Sequence, residues 1–317
     1  MTNLSAVISL PGQRPVLAFD VGGTDIKSGI VDPDGSVLGL QRTKTPRSSL
    51  APGDSIVECI VELVRSYRQS YPSLNAGPIG VAVPGIVDEA TGTGVYSANL
   101  GWEKYPFVRA LESQLDGPVA FGHDVGSAGE AEFRLGNASS SADACFIAIG
   151  TGIASVVYAD GRRIRGAGFA GEIGQAPIRD GLAPYDWTIL EDVASAASIT
   201  KRCNRLTGET VGGAEDVMKA AAAGNPEAVA VWDSAVHSLA VSLAHCVTLM
   251  GTTSIVVGGG LSLAGDALFS PLKDELAKML RVHPVPSILP AKFGGNAGLV
   301  GSALRASDLH VSLERSG

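Results

Sequence analysis

Phosphate chemistry is indicated by the stretch AFDVGGTDIKSGIVDPDG, residues 18–35. An apolar run ends there at Asp20, and flexible, hydroxyl and cationic residues follow as Gly22, Gly23, Thr24 and Lys27. Glycine lets a backbone N–H come close to a ligand, and successive N–H groups in a turn form a concavity that attracts anions. The Asp20 carboxylate could hold Mg²⁺ directly or through water, and Lys27 adds a positive charge. Together these groups predict a site for a triphosphate.

Two later glycine clusters supply further backbone donors. Thr151 and Gly152 belong to a Gly-Thr-Gly turn after the apolar segment CFIAI, and Gly259 and Gly260 belong to GGGLS, which follows TSIVV. Each cluster comes directly after a segment typical of a buried strand, as the first cluster does. This recurrence predicts that the three turns bind parts of one nucleotide.

Two other phosphate motifs are not supported. The chain contains no G-x-x-x-x-G-K-[ST] segment, which excludes a P-loop. GAGFAG at 166–171 matches the dinucleotide pattern, and Glu191 lies about twenty residues after it. However, the polar segment RRIR precedes this match and EIGQAP follows it, so the strand and amphipathic helix that a dinucleotide site needs are missing.

The elements that must position these residues alternate through the first part of the chain. Strands are predicted at 16–22, 78–85 and 117–124, and helices at 55–69 and 106–115. Asp54 is placed to cap the first of these helices. Asp20 and Asp124 fall at the ends of predicted strands.

The second part of the chain repeats this order. The segment 145–166 is typical of strand, glycine turn, strand, Asp-Gly turn and strand, as is the segment that begins at Val16. Such internal similarity predicts two related α/β domains. Later helices are predicted at 188–205, 213–223, 226–250, 269–281 and 296–306, and later strands at 253–260 and 286–293.

Composition bounds the class of protein. The 317 residues are 45% apolar and 18% charged, with a net charge of −8 and no stripe of Lys and Arg, so binding to nucleic acid or an anionic membrane is not predicted. The four cysteines form no C-x-x-C pair and have no zinc-ligand spacing. No secretion signal or apolar run of membrane-spanning length is present, so we expect a cytoplasmic protein.

The motifs taken together resemble a known family. DVGGTDIKSGIVDPDG, VAVPGIVD, NLGW, HDVGSAGEAE, IGTGIASVVYADGRRIRGAGFAGEIG and VVGGGLS occur in the order seen in the ROK-family sugar kinases, a group that takes its name from repressors, open reading frames and kinases. The resemblance covers about residues 16–305. It implies two ribonuclease-H-like α/β domains, of the actin and hexokinase type, flanking a central cleft. The implied reaction is transfer of the γ-phosphoryl group of ATP, with Mg²⁺, to a hexose hydroxyl, usually the 6-hydroxyl.

The resemblance also implies roles for individual residues. Asp124 corresponds to the general base that accepts the hydroxyl proton; it could equally cap a helix over 126–134, or do both. Asn99 and Glu172 correspond to sugar ligands, and Glu191 to a glutamate near the anomeric end, although a glutamate in a first helical turn fits the same pattern. The residues that would line the nucleotide are Asp20 through its magnesium ion, Gly22, Gly23, Thr24, Lys27, Thr151, Gly152, Gly259 and Gly260.

Three departures from the family pattern concern the sugar side. Gln175 stands where family kinases commonly carry a histidine, and the cysteine cluster that binds their structural zinc is missing from the segment that follows. We therefore predict no zinc site, and aromatic packing of Tyr185 and Trp187 is one way to fix this segment. His123 stands where the family often has an asparagine sugar ligand, so it is either a sugar contact or a hydrogen-bonded neighbour of Asp124.

Glucose is the first candidate substrate, with mannose, fructose, allose and amino sugars as alternatives and polyphosphate as an alternative donor. A sugar-responsive repressor of this family would carry a winged helix-turn-helix before the first glycine turn, whereas 19 residues precede Asp20. A non-catalytic sugar-binding protein is the third possibility. We expect a homodimer from the resemblance. The expected domains are a loose tail over 1–14, a smaller domain over 15–122 joined by the C-terminal helix at about 297–317, and a larger domain over 123–296.

Overall fold

The computed structural model describes residues 9–74 and 77–316. The helices are α1 Pro52–Ser70, α2 Phe107–Glu112, α3 Asp124–Arg134, α4 Leu190–Ala194, α5 Ala196–Thr207, α6 Ala214–Ala222, α7 Pro226–Met250, α8 Asp266–Met279 and α9 Ala297–Ser316. The strands are β1 Val16–Val21, β2 Asp25–Val31, β3 Val37–Lys44, β4 Ile79–Val83, β5 Ile86–Asp88, β6 Thr93–Tyr96, β7 Glu103–Tyr105, β8 Val119–His123, β9 Ala144–Ile149, β10 Ile153–Ala159, β11 Arg162–Arg163, β12 Pro177–Asp180, β13 Ala183–Ile189, β14 Ser254–Gly258 and β15 Ser287–Pro290.

The chain divides into two compact units. The first unit runs to Leu135 and resumes at Asn296, and the second comprises Gly136–Gly295. The sequence suggested a boundary between residues 122 and 123, whereas α3 lies in the first unit, where it packs on α9. Residues 1–8 of the expected tail lie outside the described residues. The part at 9–14 is packed rather than loose, because Leu10 is fully buried and its N–H donates to the Pro33 carbonyl at 2.6 Å.

The first unit contains a five-stranded sheet in the order β3-β2-β1-β4-β8. Strands β1 to β3 are antiparallel, whereas β4 and β8 run parallel to β1. Alternate side chains of β1 point to opposite faces of the sheet. Leu17, Phe19 and Val21 join a core with α1 and α2, and the other face of the sheet receives α9 and carries Asp20.

The second unit repeats this topology with the order β11-β10-β9-β14-β15. Strands β9 to β11 are antiparallel, and β14 and β15 run parallel to β9. In both sheets the third, second, first, fourth and fifth strands along the chain lie side by side in that order. The internal repeat predicted from the two glycine-turn hairpins is confirmed.

The longest helix of the second unit shows how local sequence fixes an element. Asn225 caps α7, because its side-chain oxygen accepts the Ala228 N–H at 2.8 Å, and Pro226 occupies the first helical position. The helix ends at Gly251, which has the left-handed φ of 68° that favours glycine. Its apolar face, which includes Leu239 and Leu243, packs in the core with β9 and β14.

Two helix expectations need correction. The first helix begins at Pro52 with Ala51 as its cap, so Asp54 lies in the first turn and is not the capping residue. The helix predicted at 188–205 starts only at Leu190, after β13, and is interrupted at Ser195, whose extended backbone separates α4 from α5. The new start at α5 has its own cap, since Ser195 Oγ accepts the Ser198 N–H at 3.1 Å.

The segment that lacks the cysteine cluster forms the hairpin β12–β13. Tyr185 is 92% exposed and Trp187 66%, so the suggested aromatic packing of these two side chains is wrong. Arg179 instead lies over the Trp187 ring at 4.2 Å and donates to the Tyr185 carbonyl at 2.5 Å. These contacts stay within the hairpin, so its attachment to the unit must come from elsewhere.

A buried arginine attaches this hairpin to the helices. Arg202 on α5 is 5% exposed and forms an ion pair of 2.6 Å with Asp180 at the end of β12. It also donates to the Val193 carbonyl on α4 at 3.0 Å and to Ser234 Oγ on α7 at 2.9 Å. One guanidinium thus ties three elements to α5, and the fork geometry of arginine suits such a junction.

Among the described residues, no helix combines the length and the apolar character that crossing a membrane requires.

We expect Gly80→Ala to destabilise the first unit. A Cβ at Gly80, in β4, would overlap the backbone of Ser302 in α9. Overpacking of this kind costs about 1–3 kcal/mol, and the melting temperature should fall by several degrees. Gly77→Ala is the matched control, because no heavy atom lies within 4 Å of the Cβ it would add. Equal melting temperatures of the two variants would contradict the close packing of α9 on β4.

We expect Arg202→Met to lower the free energy of unfolding by up to about 3 kcal/mol, because it leaves the Asp180 carboxylate, whose side chain is 15% exposed, without its cation. Asp180→Asn and the double variant complete a thermodynamic cycle, measured by denaturant unfolding. The double variant should lose less than the sum of the single losses, since removing both charges leaves no unpaired ion. Additive losses would show that Arg202 and Asp180 do not act as a pair.

Candidate functional site

The first glycine turn lies between β1 and β2, and the strand register places its charged residues together. Asp20 is opposite Lys27 in the antiparallel pair, and Lys27 Nζ lies 3.3 Å from Asp20 Oδ2. Gly298, at the start of α9, packs against the same carboxylate, where a Cβ would lie 2.8 Å from Asp20 Cγ. Asp20 is 9% exposed as a result.

Burial raises the pKa of Asp20, and the nearby Lys27 ammonium opposes that shift. The negative charge of Asp124 raises the Asp20 pKa further, so these three groups share one electrostatic environment. Within the described residues, no cluster of three or more His, Cys, Asp or Glu side chains could hold a metal ion. A single carboxylate still fits Mg²⁺, which usually keeps several waters and takes its remaining ligands from substrate phosphates.

The turn itself offers fewer free donors than the sequence predicted. The Gly22 N–H donates to the Asp25 carbonyl at 3.0 Å, so it closes the turn and is not available to an anion. Thr45, directly after β3, also fixes Gly22, because its Oγ1 donates to the Gly22 carbonyl at 2.7 Å. The predicted anion donors of this turn are therefore reduced to Gly23 and Thr24.

Arg47 links this turn to the predicted sugar ligand Asn99. Its guanidinium donates to the Gly23 carbonyl at 2.5 Å and also to the Asn99 carbonyl. Asn99 is exposed in the turn after β6, and a Cβ at Gly23 would lie 3.4 Å from Asn99 Nδ2. Sequence reasoning missed Arg47, because no motif contains it and its partners are far away along the chain.

Asp124 occupies the first position of α3, directly after β8. Its Oδ1 accepts the Val125 N–H at 2.7 Å, and its side chain keeps 29% of its surface exposed. Desolvation raises the pKa of Asp124 to about 6, although backbone N–H donors and the Lys27 charge act in the opposite direction. A carboxylate of this kind is ionised at neutral pH and still basic enough to accept a proton.

His123, not Asp124, caps α3. His123 Nδ1 accepts the Gly126 N–H at 3.2 Å, and His123 Nε2 lies 3.1 Å from Asp124 Oδ1. The alternative in which Asp124 is the helix cap is therefore wrong. His123 therefore caps the helix beside the carboxylate, and a contact between His123 and the sugar stays a prediction.

In the second unit, Glu191 contacts the second glycine turn. Glu191 Oε2 accepts the Ile153 N–H at 2.7 Å, just after the Gly-Thr-Gly turn. Cβ atoms at Gly152 and Gly174 would lie 2.6 Å and 3.3 Å from the same oxygen, so both glycines make room for it. Glu172 and Gln175 are exposed, Gln175 in the 3₁₀ turn Ile173–Gln175 and Glu172 directly before it. Glu191 therefore lies in the first turn of α4 and also contacts the second glycine turn.

The third glycine cluster follows β14 and approaches the end of β9. Gly259 has a φ of 78°, and a Cβ there would overlap the Ile149 backbone. Its carbonyl accepts the Ser262 hydroxyl at 2.7 Å, while Gly260 begins a 3₁₀ turn through Ala264. Gly259 therefore lies against the end of β9, and Gly152 lies in the turn that follows β9.

Comparisons with known proteins agree with this arrangement. A glucokinase of Halalkalibacterium halodurans is 28% identical over 324 residues, which cover 95% of this chain and 98% of the relative. An N-acetylmannosamine kinase of Citrobacter koseri is 29% identical, covering 92% of this chain and 98% of the relative. The crystal structure of a ROK family glucokinase from Streptomyces griseus in complex with glucose and AMPPNP superposes with a TM-score of 0.75 at 26% identity, covering 96% of this chain and all of that one.

The predicted fold class, two α/β domains of the actin and hexokinase type, is confirmed by this similarity and by the repeated sheets. The model of the ROK family matches residues 16–308, nearly the whole chain. The chain belongs to the ROK family.

Proposed function

We propose that this sugar kinase transfers the γ-phosphoryl group of ATP to a hydroxyl group of a hexose, with the 6-hydroxyl as the acceptor. The observation that carries the proposal is the Asp124 carboxylate, whose pKa desolvation raises to about 6 in the same unit as Asp20 and Lys27. Phosphoryl transfer depends mainly on positioning and on neutralising charge, with one group to orient the nucleophile. This unit contains a candidate for each of those tasks.

Asp124 is the proposed general base. Its carboxylate would accept the proton of the sugar hydroxyl as the oxygen attacks phosphorus, a contribution of about 10²–10⁴-fold. Lys27 lies near both Asp124 and Asp20 and would stabilise negative charge that develops on the transferred group. Asp20 would hold Mg²⁺, which when bound supplies positive charge to the phosphate oxygens.

Ligand contacts are proposed separately for each unit. In the first unit, Asn99 would bind sugar hydroxyls, and the N–H groups of Gly23 and Thr24 would bind phosphate. Arg47 supports this pair of turns through its bonds to the Gly23 and Asn99 carbonyls. In the second unit the proposed sugar ligands are Glu172, Gln175 and Glu191, and the proposed nucleotide contacts are Thr151, Gly152, Gly259 and Gly260.

Glucose is the first substrate that we propose, since a glucokinase and a ROK glucokinase structure are among the relatives. An amino sugar is the second candidate, because an N-acetylmannosamine kinase is similar over a comparable share of the chain. The homodimer expected from the family stays a prediction, which light scattering would test.

We expect ADP release to depend on a hexose when ATP and Mg²⁺ are supplied. A coupled assay over glucose, mannose, fructose, allose, N-acetylglucosamine and N-acetylmannosamine should identify one preferred acceptor, with glucose first. A parallel series with polyphosphate tests the alternative donor. Absence of any sugar-dependent product with either donor would contradict the proposed reaction and favour a non-catalytic sugar-binding protein.

We expect Asp124→Asn to lower kcat by about 10²–10⁴-fold, because the amide cannot accept the proton. Binding of a non-hydrolysable ATP analogue, measured by calorimetry, should stay close to that of the wild type. Asp116→Asn is the matched control, since Asp116 is an exposed aspartate of the same unit. Near-normal turnover of Asp124→Asn would show that another group is the base.

We expect the rate to fall as the pH decreases through about 6, where desolvation places the pKa of Asp124. The base acts only as a carboxylate, so protonation below that pH removes it, while the rate should be insensitive to pH just above 7. The measurement is kcat/KM for the sugar between pH 4.5 and 8.5, which reports the ionisation of the free enzyme. An acidic limb centred near pH 4 would mean that Asp124 is not desolvated in the free enzyme.

A further inference from the structure

We propose that Arg47 is a positioning residue that couples two ligand sites of the first unit, so that a bound sugar strengthens nucleotide binding and the reverse. Its guanidinium donates one hydrogen bond to the first glycine turn and one to the turn over 97–102, which carries Asn99. The inference rests on the proposed function, in which Asn99 binds sugar hydroxyls and the first glycine turn binds phosphate.

The segment directly after β3 binds all three carbonyls of the first glycine turn. The Thr45 N–H donates to the Thr24 carbonyl at 2.9 Å, and Thr45 Oγ1 donates to the Gly22 carbonyl at 2.7 Å. Between them, the Gly23 carbonyl accepts from Arg47 at 2.5 Å. Three consecutive peptide groups are therefore oriented by two residues.

These bonds also decide where the N–H groups of the turn point. In a trans peptide the C=O and the N–H of one peptide group point in opposite directions. The Gly22 and Gly23 carbonyls share their peptide groups with the N–H groups of Gly23 and Thr24. Because both carbonyls face the segment 45–47, the two N–H groups point away from it, an orientation that suits them to bind an anion. Arg47 thus orients the Thr24 N–H.

The turn that carries Asn99 is anchored on the core of the same unit. The Gly101 N–H donates to the Ser97 carbonyl at 2.8 Å, and the Ser97 N–H donates to the Trp102 carbonyl at 3.1 Å. Leu100 and Trp102 are buried, whereas Asn99 is exposed. The turn is therefore a fixed support that presents the Asn99 side chain to solvent.

Arg47 joins the two turns at their backbones. Its Nη1 donates to the Asn99 carbonyl and its Nη2 to the Gly23 carbonyl. The turns also approach each other directly, since a Cβ at Gly23 would lie 3.4 Å from Asn99 Nδ2. A planar guanidinium holds two such acceptors in one fixed geometry. A sugar that immobilises Asn99 would thereby also immobilise the peptide group that presents the Thr24 N–H.

Coupling of this kind has a measurable signature. If a hexose raises the affinity for a non-hydrolysable ATP analogue by some factor, the analogue raises the affinity for the hexose by the same factor. A residue that only supports one site changes the affinity for its own ligand and leaves this coupling factor unchanged. We expect a factor of about 5 or more for the wild type.

Four variants separate coupling from support and from charge. Arg47→Met removes both bonds, and Arg47→Lys keeps the positive charge without the planar guanidinium. Thr45→Val removes the bond from Oγ1 to the Gly22 carbonyl but leaves the bonds of Arg47 in place. Arg109→Met is the matched control, because it removes one exposed arginine of the same unit, on α2.

The test is calorimetric titration of each ligand with and without the other, using the ATP analogue with Mg²⁺ and glucose, or the hexose that the coupled assay prefers. We expect the coupling factor to fall close to unity in Arg47→Met and to fall in Arg47→Lys. Thr45→Val should weaken binding of the analogue to the same extent with and without sugar, and Arg109→Met should match the wild type. An unchanged factor in Arg47→Met, or an equal fall in Thr45→Val, would overturn the inference.

A measurement without ligands tests the structural link itself. Backbone amides over 22–25 and 97–101 should exchange with deuterium faster in Arg47→Met than in the wild type or Arg109→Met, while the melting temperatures show that all three are folded. Exchange that is unchanged in both segments would contradict the link.

The failure of this inference differs from the failure of the proposed function. If both ligands bind the wild type, the hexose is phosphorylated and the coupling factor is near unity, only the role of Arg47 is wrong. If neither ligand binds the wild type, the proposed function fails and the coupling fails with it.

Discussion

Asp20 and Asp124 are two carboxylates of one unit, and the charge of Asp124 raises the pKa of Asp20. The positive charge of Lys27 lowers the pKa of both carboxylates. Desolvation acts against the charged form of each carboxylate, which costs stability. The sheet makes this arrangement possible. Antiparallel pairing of β1 with β2 sets Lys27 opposite Asp20, and parallel pairing of β4 with β8 brings Asp124 to the same edge of the sheet. Gly298 packs against the Asp20 carboxylate, and the Val125 N–H donates to that of Asp124.

Glycines and an ion pair fix side chains and elements within each unit. Gly298 leaves room for the Asp20 carboxylate, and Gly152 leaves room for Glu191 in the second unit. Arg202 ties the β12–β13 hairpin to three helices through a single guanidinium. An ion pair at that junction is an alternative to a structural metal, because it also joins separate elements at one point. Removal of one partner then costs more than removal of both.

Much of this site could be predicted from the residues alone. Asp20, Lys27 and the glycine turns were found because a carboxylate, an ammonium and flexible residues follow a buried strand within one short stretch. The repeated topology was indicated by the second hairpin, which also has a glycine turn after an apolar strand. Arg47 and Arg202 could not be found in this way. Their partners, such as Asn99 and Ser234, are distant along the chain, so only the fold brings them together.

His123 shows what local sequence leaves open. Its place beside Asp124 was evident, but the choice between a sugar contact and a carboxylate contact depends on the ring orientation at the start of α3. The helix predicted at 188–205 is helical over most of its length but interrupted. It begins after β13 at Leu190, and the extended backbone of Ser195 divides it into α4 and α5.

The central claim is that the fold desolvates the carboxylate of Asp124 enough to make it a base near neutral pH. A ¹³C carboxyl titration, with the Asp124 resonance assigned from its loss in the asparagine variant, measures this directly. The account predicts a midpoint of about 6. A midpoint near the ordinary value of about 4 would contradict it.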